Sequence, residues 1–160
     1  MRSLRDGGDA YYIYYYDARS KRLARGRGSG YDRRMAKILL VDDDETLLRV
    51  VADYLRSRGH RVETCADPEA AAARAEALGA DLAIVDYEMP RLKGTDLLTE
   101  LRRRPATGGL PVAFLSGAEA LLLAAQVPPD PKVRFLKKPA DFDELDRAVL
   151  ALLGPEAGTP

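Results

Sequence analysis

The sequence predicts an α/β domain, a doubly wound five-stranded parallel sheet with helices on both faces. Three observations carry that prediction. From Lys37 to Leu153, short apolar runs alternate with stretches of helical periodicity through short connections, the rhythm of strands joined by crossover helices. The run Leu82-Ala83-Ile84-Val85 is continuously apolar, not alternating, as a strand covered on both faces must be. It ends in Asp86 and the chain breaks soon after at Pro90, so a buried strand delivers a carboxylate to the end of the sheet.

Ile38 to Val41 is the first strand. Thr46 to Arg58 carries Leu47, Leu48, Val50, Val51, Tyr54 and Leu55 at helical spacing and stops at Gly59. Arg61 to Cys65 is a weaker second strand, expected at the sheet edge. Asp67-Pro68 opens a second helix, with Asp67 as N-cap and proline at its first position, and Gly79 closes it. Asp81 to Asp86 is the third strand. Leu97, Leu98 and Leu101 mark a third helix between Gly94 and Pro105, and Val112 to Leu115 is the fourth strand. Ala118 to Gln126 reads as a short apolar fourth helix, broken by Pro128-Pro129. Its Leu121, Leu122 and Leu123 cannot all face one side, so at least one is expected to be exposed or covered by a partner. Val133 to Leu136 is the fifth strand. Asp141 and Glu144 open the last helix, whose apolar face is Leu145, Val149, Leu152 and Leu153.

A length of 160 residues and a hydrophobic content of 46% suit one domain with a sizeable core. Formal net charge is zero, but residues 1–34 hold nine Lys/Arg against four Asp/Glu, leaving 16 basic and 21 acidic side chains for the rest. That mildly acidic body argues against a nucleic-acid-binding face on the folded part, and no direct DNA binding is expected. Cys65 is the single cysteine and His60 the single histidine, too few for a disulfide or a zinc site. No apolar run reaches a membrane span and the N-terminus lacks a secretory h-region. A reducing cytoplasm is the expected location.

Residues 1–34 are a basic, low-complexity tail with six of the eight tyrosines and the run Arg-Gly-Arg-Gly-Ser-Gly. Disorder, or translation from a start codon upstream of Met35, is favoured over an arm that contacts RNA or membrane through arginine and aromatic stacking. The domain is expected over residues 35–154, with residues 155–160 a short C-terminal tail.

Parallel strands end on one side of the sheet. The first ends in Asp42-Asp43, the third in Asp86 and the fourth in Ser116, while the fifth runs through Lys137-Lys138 into Pro139. Three carboxylates brought within a few ångströms repel one another, and a hard divalent cation relieves that repulsion. With Mg²⁺ and one lysine the charges sum to zero. A carboxylate beside a cation, a lysine and a hydroxyl is equipped to receive a phosphoryl group, because that transfer needs positioning and charge neutralisation. Lys138, next to Pro139, is the better candidate of the two lysines.

Residues 36–153 resemble the receiver domains of two-component response regulators. The resemblance rests on Val41-Asp42-Asp43, on Val85-Asp86-Tyr87-Glu88-Met89-Pro90 followed by Lys93-Gly94, on Leu115-Ser116-Gly117, and on Lys138-Pro139, in that order. It implies a flavodoxin-like strand order, 2-1-3-4-5. It implies that Asp86 accepts phosphate from a sensor histidine kinase or phosphotransfer protein, with Mg²⁺ held by Asp42, Asp43, Asp86 and the backbone carbonyl of Glu88. Lys138 would pair with the acyl phosphate, Ser116 would move onto a phosphoryl oxygen, and Phe135 would be the aromatic that turns inward with it. The output would be a binding surface made by the fourth helix, fifth strand and fifth helix, open to a downstream protein or to a homodimer. Such a protein is a switch and not a turnover enzyme. Gly117 departs from the commoner alanine, and the three prolines between Val127 and Lys132 replace the usual small-residue turn.

Plainer readings stand beside these. Asp42 to Glu45 could be a solvated acidic turn that caps the first helix, Ser116 a turn residue, His60 an exposed loop histidine, and Cys65 a small buried strand residue. Asp42-Asp43-Asp44-Glu45-Thr46-Leu47 also fits the opening of haloacid-dehalogenase-type Mg²⁺-dependent phosphatases, with Asp42 as nucleophile and Asp44 as acid/base, but that scheme leaves Asp86 unexplained. FMN binding is disfavoured by the acidic first loop. A receiver-like scaffold that is never phosphorylated is the remaining alternative.

Overall fold

The computed structural model describes residues 35–117, 122, 130–139 and 141–154, and the backbone of residues 11–17 and 22–28. The chain divides into two compact units, Met1–Arg34 and Met35–Pro160.

In the first unit β1 (Tyr11–Asp17) pairs antiparallel with β2 (Arg22–Gly28), from Tyr11 opposite Gly28 to Asp17 opposite Arg22. Tyr and Ile are strong strand formers, which suits the run in β1 to this pairing.

The second unit is a five-stranded sheet in the order β4-β3-β5-β6-β7, all parallel, formed by β3 (Lys37–Val41), β4 (Arg61–Cys65), β5 (Leu82–Asp86), β6 (Val112–Ser116) and β7 (Val133–Lys137). Numbered within the sheet, this is the predicted 2-1-3-4-5 order, with the weakly apolar second strand at the edge. All five residues of both β5 and β6 are buried.

Helices cover both faces. On one, α1 (Glu45–Ser57) and α4 (Phe142–Leu153, the fifth helix of the sequence reading) pack Leu48, Val51, Leu55, Leu145 and Val149 on Ile38, Leu40, Ile84, Ala113 and Leu115. On the other, α2 (Ala71–Leu78) and α3 (Gly94–Arg103) cover Leu39, Val41, Ala83, Val85 and Phe114. Asp67 caps a 3-10 turn, Pro68–Ala70, that leads into α2, so the helix proper begins three residues later than the proline signal predicts. The expected fourth helix lies outside the described residues, apart from Leu122, which is helical and exposed.

Two details fix the sheet end that matters. A Cβ on Gly94 would lie 2.8 Å from Phe114 Cε1 and 3.0 Å from Tyr87 Cα, so only glycine lets α3 begin this close to β5 and β6. On the open edge, Arg56 donates to the Val62 carbonyl at 2.9 Å and Arg74 to the Thr64 carbonyl at 2.8 Å. Those guanidinium groups occupy acceptors that an edge strand would otherwise offer to another chain.

Candidate functional site

Register brings the site together. Val41 pairs with Val85, so the chain leaves β3 at Asp42 beside Asp86, and Ser116 pairs with Lys137 so that Lys138 follows at the end of β7. Lys138 N–H donates to the Ser116 carbonyl at 2.8 Å, and the Lys138–Pro139 peptide bond is cis. β7 stands two strand positions from β5, roughly 10 Å, a gap that a long side chain can bridge. Lys138 Nζ lies 3.0 Å from Asp86 Oδ1 and 3.4 Å from Asp42 Oδ2. Lys137 is exposed.

Asp42 and Asp86 retain only 2% and 3% of their surface, whereas Asp43 is exposed. Oδ1 of Asp42 accepts from Asp44 N–H at 2.9 Å, and Oδ1 of Asp86 accepts from Glu88 N–H at 3.0 Å. Burial raises the pKa of Asp42, and the charge of Asp86 adds to that rise, against the Asp44 amide and Lys138, which oppose it. For Lys138, burial by itself disfavours the ammonium, but its hydrogen bond to Asp86 and the two carboxylate charges outweigh burial and hold its pKa above the usual lysine range. The lysine is therefore charged at neutral pH.

One carboxylate oxygen from each of Asp42, Asp43 and Asp86 lies within 4.8 Å of the others. These three acids and Lys138 carry a net charge of minus two, and all the donors are oxygen. Charge and donor chemistry both fit one hard divalent cation. A depression of about 390 Å³ beside them is lined by Asp44, Leu47, Leu115, Lys138 and Pro139. Neither that depression nor a larger groove of about 620 Å³ between α1, β4 and α2 is lined by any of the three acids.

Ser116 is fully buried at the end of β6, and among the described residues its Oγ has no hydrogen-bond partner. A buried hydroxyl left unpaired costs about 1–3 kcal/mol. Phe135 stacks on Phe114 with ring centroids 5.2 Å apart, and Tyr87 meets both rings edge-on at 5.5 and 5.9 Å. Tyr87 was not singled out from sequence; its position directly after Asp86 was the available signal. At Gly117 a Cβ would meet the Glu88 carboxylate at 3.5 Å, an ordinary contact, so nothing in the structure demands glycine in place of the commoner alanine.

Asp44 belongs to the helix instead. Its Oδ1 accepts from Thr46 N–H at 2.9 Å and Leu47 N–H at 3.1 Å, capping α1. The acidic run Asp42 to Glu45 thus divides into two residues at the carboxylate cluster, one cap, and Glu45 in the first turn of α1. His60 is half-buried, not an exposed loop residue, and its Nδ1 accepts from Ala36 N–H at 3.4 Å. Cys65 is buried, as expected.

A parallel sheet in this order, with polar side chains gathered where the strand order reverses, defines a doubly wound flavodoxin-like domain. Residues 38–150 match the family model of the response regulator receiver domain, and the chain belongs to that family. It is similar to the photosynthetic apparatus regulatory protein RegA of Cereibacter sphaeroides, 34% identical over 123 residues that make up 76% of this chain and 64% of that protein. Among solved structures, it is similar to a receiver domain protein from Clostridium thermocellum, with a TM-score of 0.63 at 28% identity over 73% of this chain and 94% of that one. The chemotaxis protein CheY4 of Vibrio cholerae superposes with a TM-score of 0.62 at 28% identity, covering 72% and 96%. The chain spans only 12%, 15% and 64% of three curated relatives it matches. Receiver domains are signalling switches, and they bind Mg²⁺ through acidic residues such as those clustered here. Among the described residues, no helix is long and apolar enough to cross a membrane.

Proposed function

We propose that Asp86 accepts a phosphoryl group from a phosphohistidine of a sensor histidine kinase or phosphotransfer protein, and that the modified domain changes the surface it offers to a downstream protein. The observation that carries this reading is the contact of Lys138 Nζ with Asp86 Oδ1 at 3.0 Å, on the one acid that ends the fully buried central strand. A carboxylate oxygen of Asp86 attacks phosphorus and the N–P bond breaks. The electron pair stays with the imidazole, which takes up a proton, and an acyl phosphate is left on Asp86.

Asp42, Asp43 and Asp86, with the backbone carbonyl of Glu88, would hold Mg²⁺, which would neutralise charge on the phosphoryl oxygens. Lys138 balances the remaining negative charge and holds the acceptor carboxylate in place. Ser116 Oγ, buried and unpartnered, is the hydroxyl with capacity to donate to a phosphoryl oxygen. Its movement would free space next to Phe135, two positions from Lys137 on β7, and bias that ring further inward. The surface of β7 and α4, with the fourth helix expected ahead of β7, is where a partner or a second copy would sense the change.

The phosphatase-like alternative is disfavoured because the Asp44 carboxylate is committed to capping α1. The test is incubation of the full chain with Mg²⁺ and a small phosphoramidate or acyl-phosphate donor, followed by assay for acid-stable, base-labile label. Label on the wild type and none on Asp86→Asn supports the reading. Label that survives Asp86→Asn but is lost in Asp42→Asn would transfer the nucleophile to Asp42. No label from a small donor or from a cognate kinase would return the domain to an unphosphorylated scaffold.

A further inference from the structure

The N-terminal ribbon sorts its residues by register. Tyr12 pairs with Arg27, Tyr14 with Arg25 and Tyr16 with Leu23, while Tyr11, Ile13, Tyr15 and Asp17 pair with Gly28, Gly26, Ala24 and Arg22. Directly opposed residues of an antiparallel pair share a face and neighbours along a strand alternate. One face therefore holds Tyr12, Tyr14 and Tyr16 in a row with Arg25 and Arg27. The acid of the ribbon, Asp17, falls on the opposite face.

We propose that the face carrying Tyr12, Tyr14, Tyr16, Arg25 and Arg27 binds single-stranded RNA. Alternate positions on a strand are about 6.8 Å apart, roughly twice the 3.4 Å rise of a stacked nucleotide strand. The tyrosine row thus matches bases drawn out of their stack and not those of a duplex. Unpaired bases stack on aromatic rings and on arginine planes, and that mode is how RNA loops and single strands are chiefly recognised. Charge agrees in sign: residues 1–34 carry nine basic against four acidic side chains, whereas the receiver domain is acidic and offers no such attraction. This binding is independent of the aspartate chemistry.

The test uses the full chain and a fluorescein-labelled twelve-nucleotide oligouridylate, with anisotropy read across a salt series. Tyr12→Val with Tyr14→Val keeps strand propensity but removes both rings, and should weaken binding at least about tenfold. Tyr12→Phe with Tyr14→Phe should retain it, since stacking needs the ring and not the hydroxyl. Arg25→Ala with Arg27→Ala should reduce the slope of log affinity against log salt by about 1.4. Tyr11→Val with Tyr15→Val, on the other face, should leave affinity unchanged. The proposal is overturned by absence of binding, by equal loss from variants of either face, or by tighter binding to oligothymidylate, duplex RNA or phosphatidylglycerol vesicles.

Discussion

The ammonium of Lys138 stands 3.0 Å from Asp86 Oδ1. It reaches there from the far side of the sheet and also lies 3.4 Å from Asp42, so one cation opposes two buried anions. Lys138→Met would leave both carboxylates without that charge. Breaking a fully buried pair costs about 3–5 kcal/mol, and the cost here is smaller because the lysine side chain keeps 28% of its surface in water. The expected loss is roughly 1–2 kcal/mol, seen as a lower urea midpoint. Millimolar Mg²⁺ should shrink the deficit; a variant as stable as the wild type in metal chelator would contradict it.

Asp42 gives the opposite sign. Asn at this position keeps an oxygen for the Asp44 amide, which donates to Oδ1 at 2.9 Å, while removing one of three crowded negative charges. Asp42→Asn should therefore raise the thermal midpoint of the metal-free protein. The same change should abolish most of the rise in midpoint that Mg²⁺ gives the wild type, because metal stabilises a fold in proportion to how tightly the folded state binds it. Differential scanning fluorimetry with chelator and with a Mg²⁺ series reads both effects.

A pH dependence is expected away from the site, where α1 meets α4. Tyr54 stacks on Phe142 with centroids 4.0 Å apart, and its hydroxyl donates to Asp146 Oδ2 at 2.9 Å. Burial, then the hydrogen bond and charge of Asp146, raise the tyrosine pKa above 10.0, with Arg58 opposing and Asp143 adding slightly. A folded-state pKa above the unfolded one means the folded protein holds the proton more tightly. The resulting stability is complete below pH 10 and is lost as pH rises through the folded value. Tyr54→Phe should cost about 1 kcal/mol at pH 7. That gap should narrow above pH 10 in urea melts of the two proteins, and a constant gap would argue against the bond.

Several of these relationships were legible before any coordinates. Strand ends announced Asp42, Asp43, Asp86, Ser116 and Lys138, because a parallel sheet must deliver its C-terminal ends to one side, and the all-apolar β5 run had to be central. The division of labour within Asp42 to Glu45 was not legible. Both metal ligation and helix capping favour aspartate, and only the path of the backbone directs the Asp44 carboxylate to Thr46 and Leu47. The arginine caps on β4 were hidden for a related reason: Arg74 and Thr64 are ten residues apart and meet only because α2 packs beside the edge strand. The pairing of β1 with β2 falls in a stretch whose composition, Gly- and Arg-rich opposite a tyrosine run, offers no core, so strand propensity alone favours that ladder.

Phe135 is the ring whose motion would carry the switch outward. It is half-buried and stacks at 5.2 Å on Phe114, which is fully buried and packs against the start of α3 at Gly94. Inward rotation must therefore displace a neighbour or fill space that Ser116 vacates, and either event changes the polarity around the ring. The chain contains no tryptophan, so Phe135→Trp creates a single reporter at that place. Its emission should shift to shorter wavelength when Mg²⁺ and a phosphoramidate donor are added, because an indole moving inward leaves water. The shift should be absent with Mg²⁺ alone and in the Asp86→Asn background. A shift of equal size in that background would assign the movement to metal or donor binding and detach Phe135 from phosphorylation.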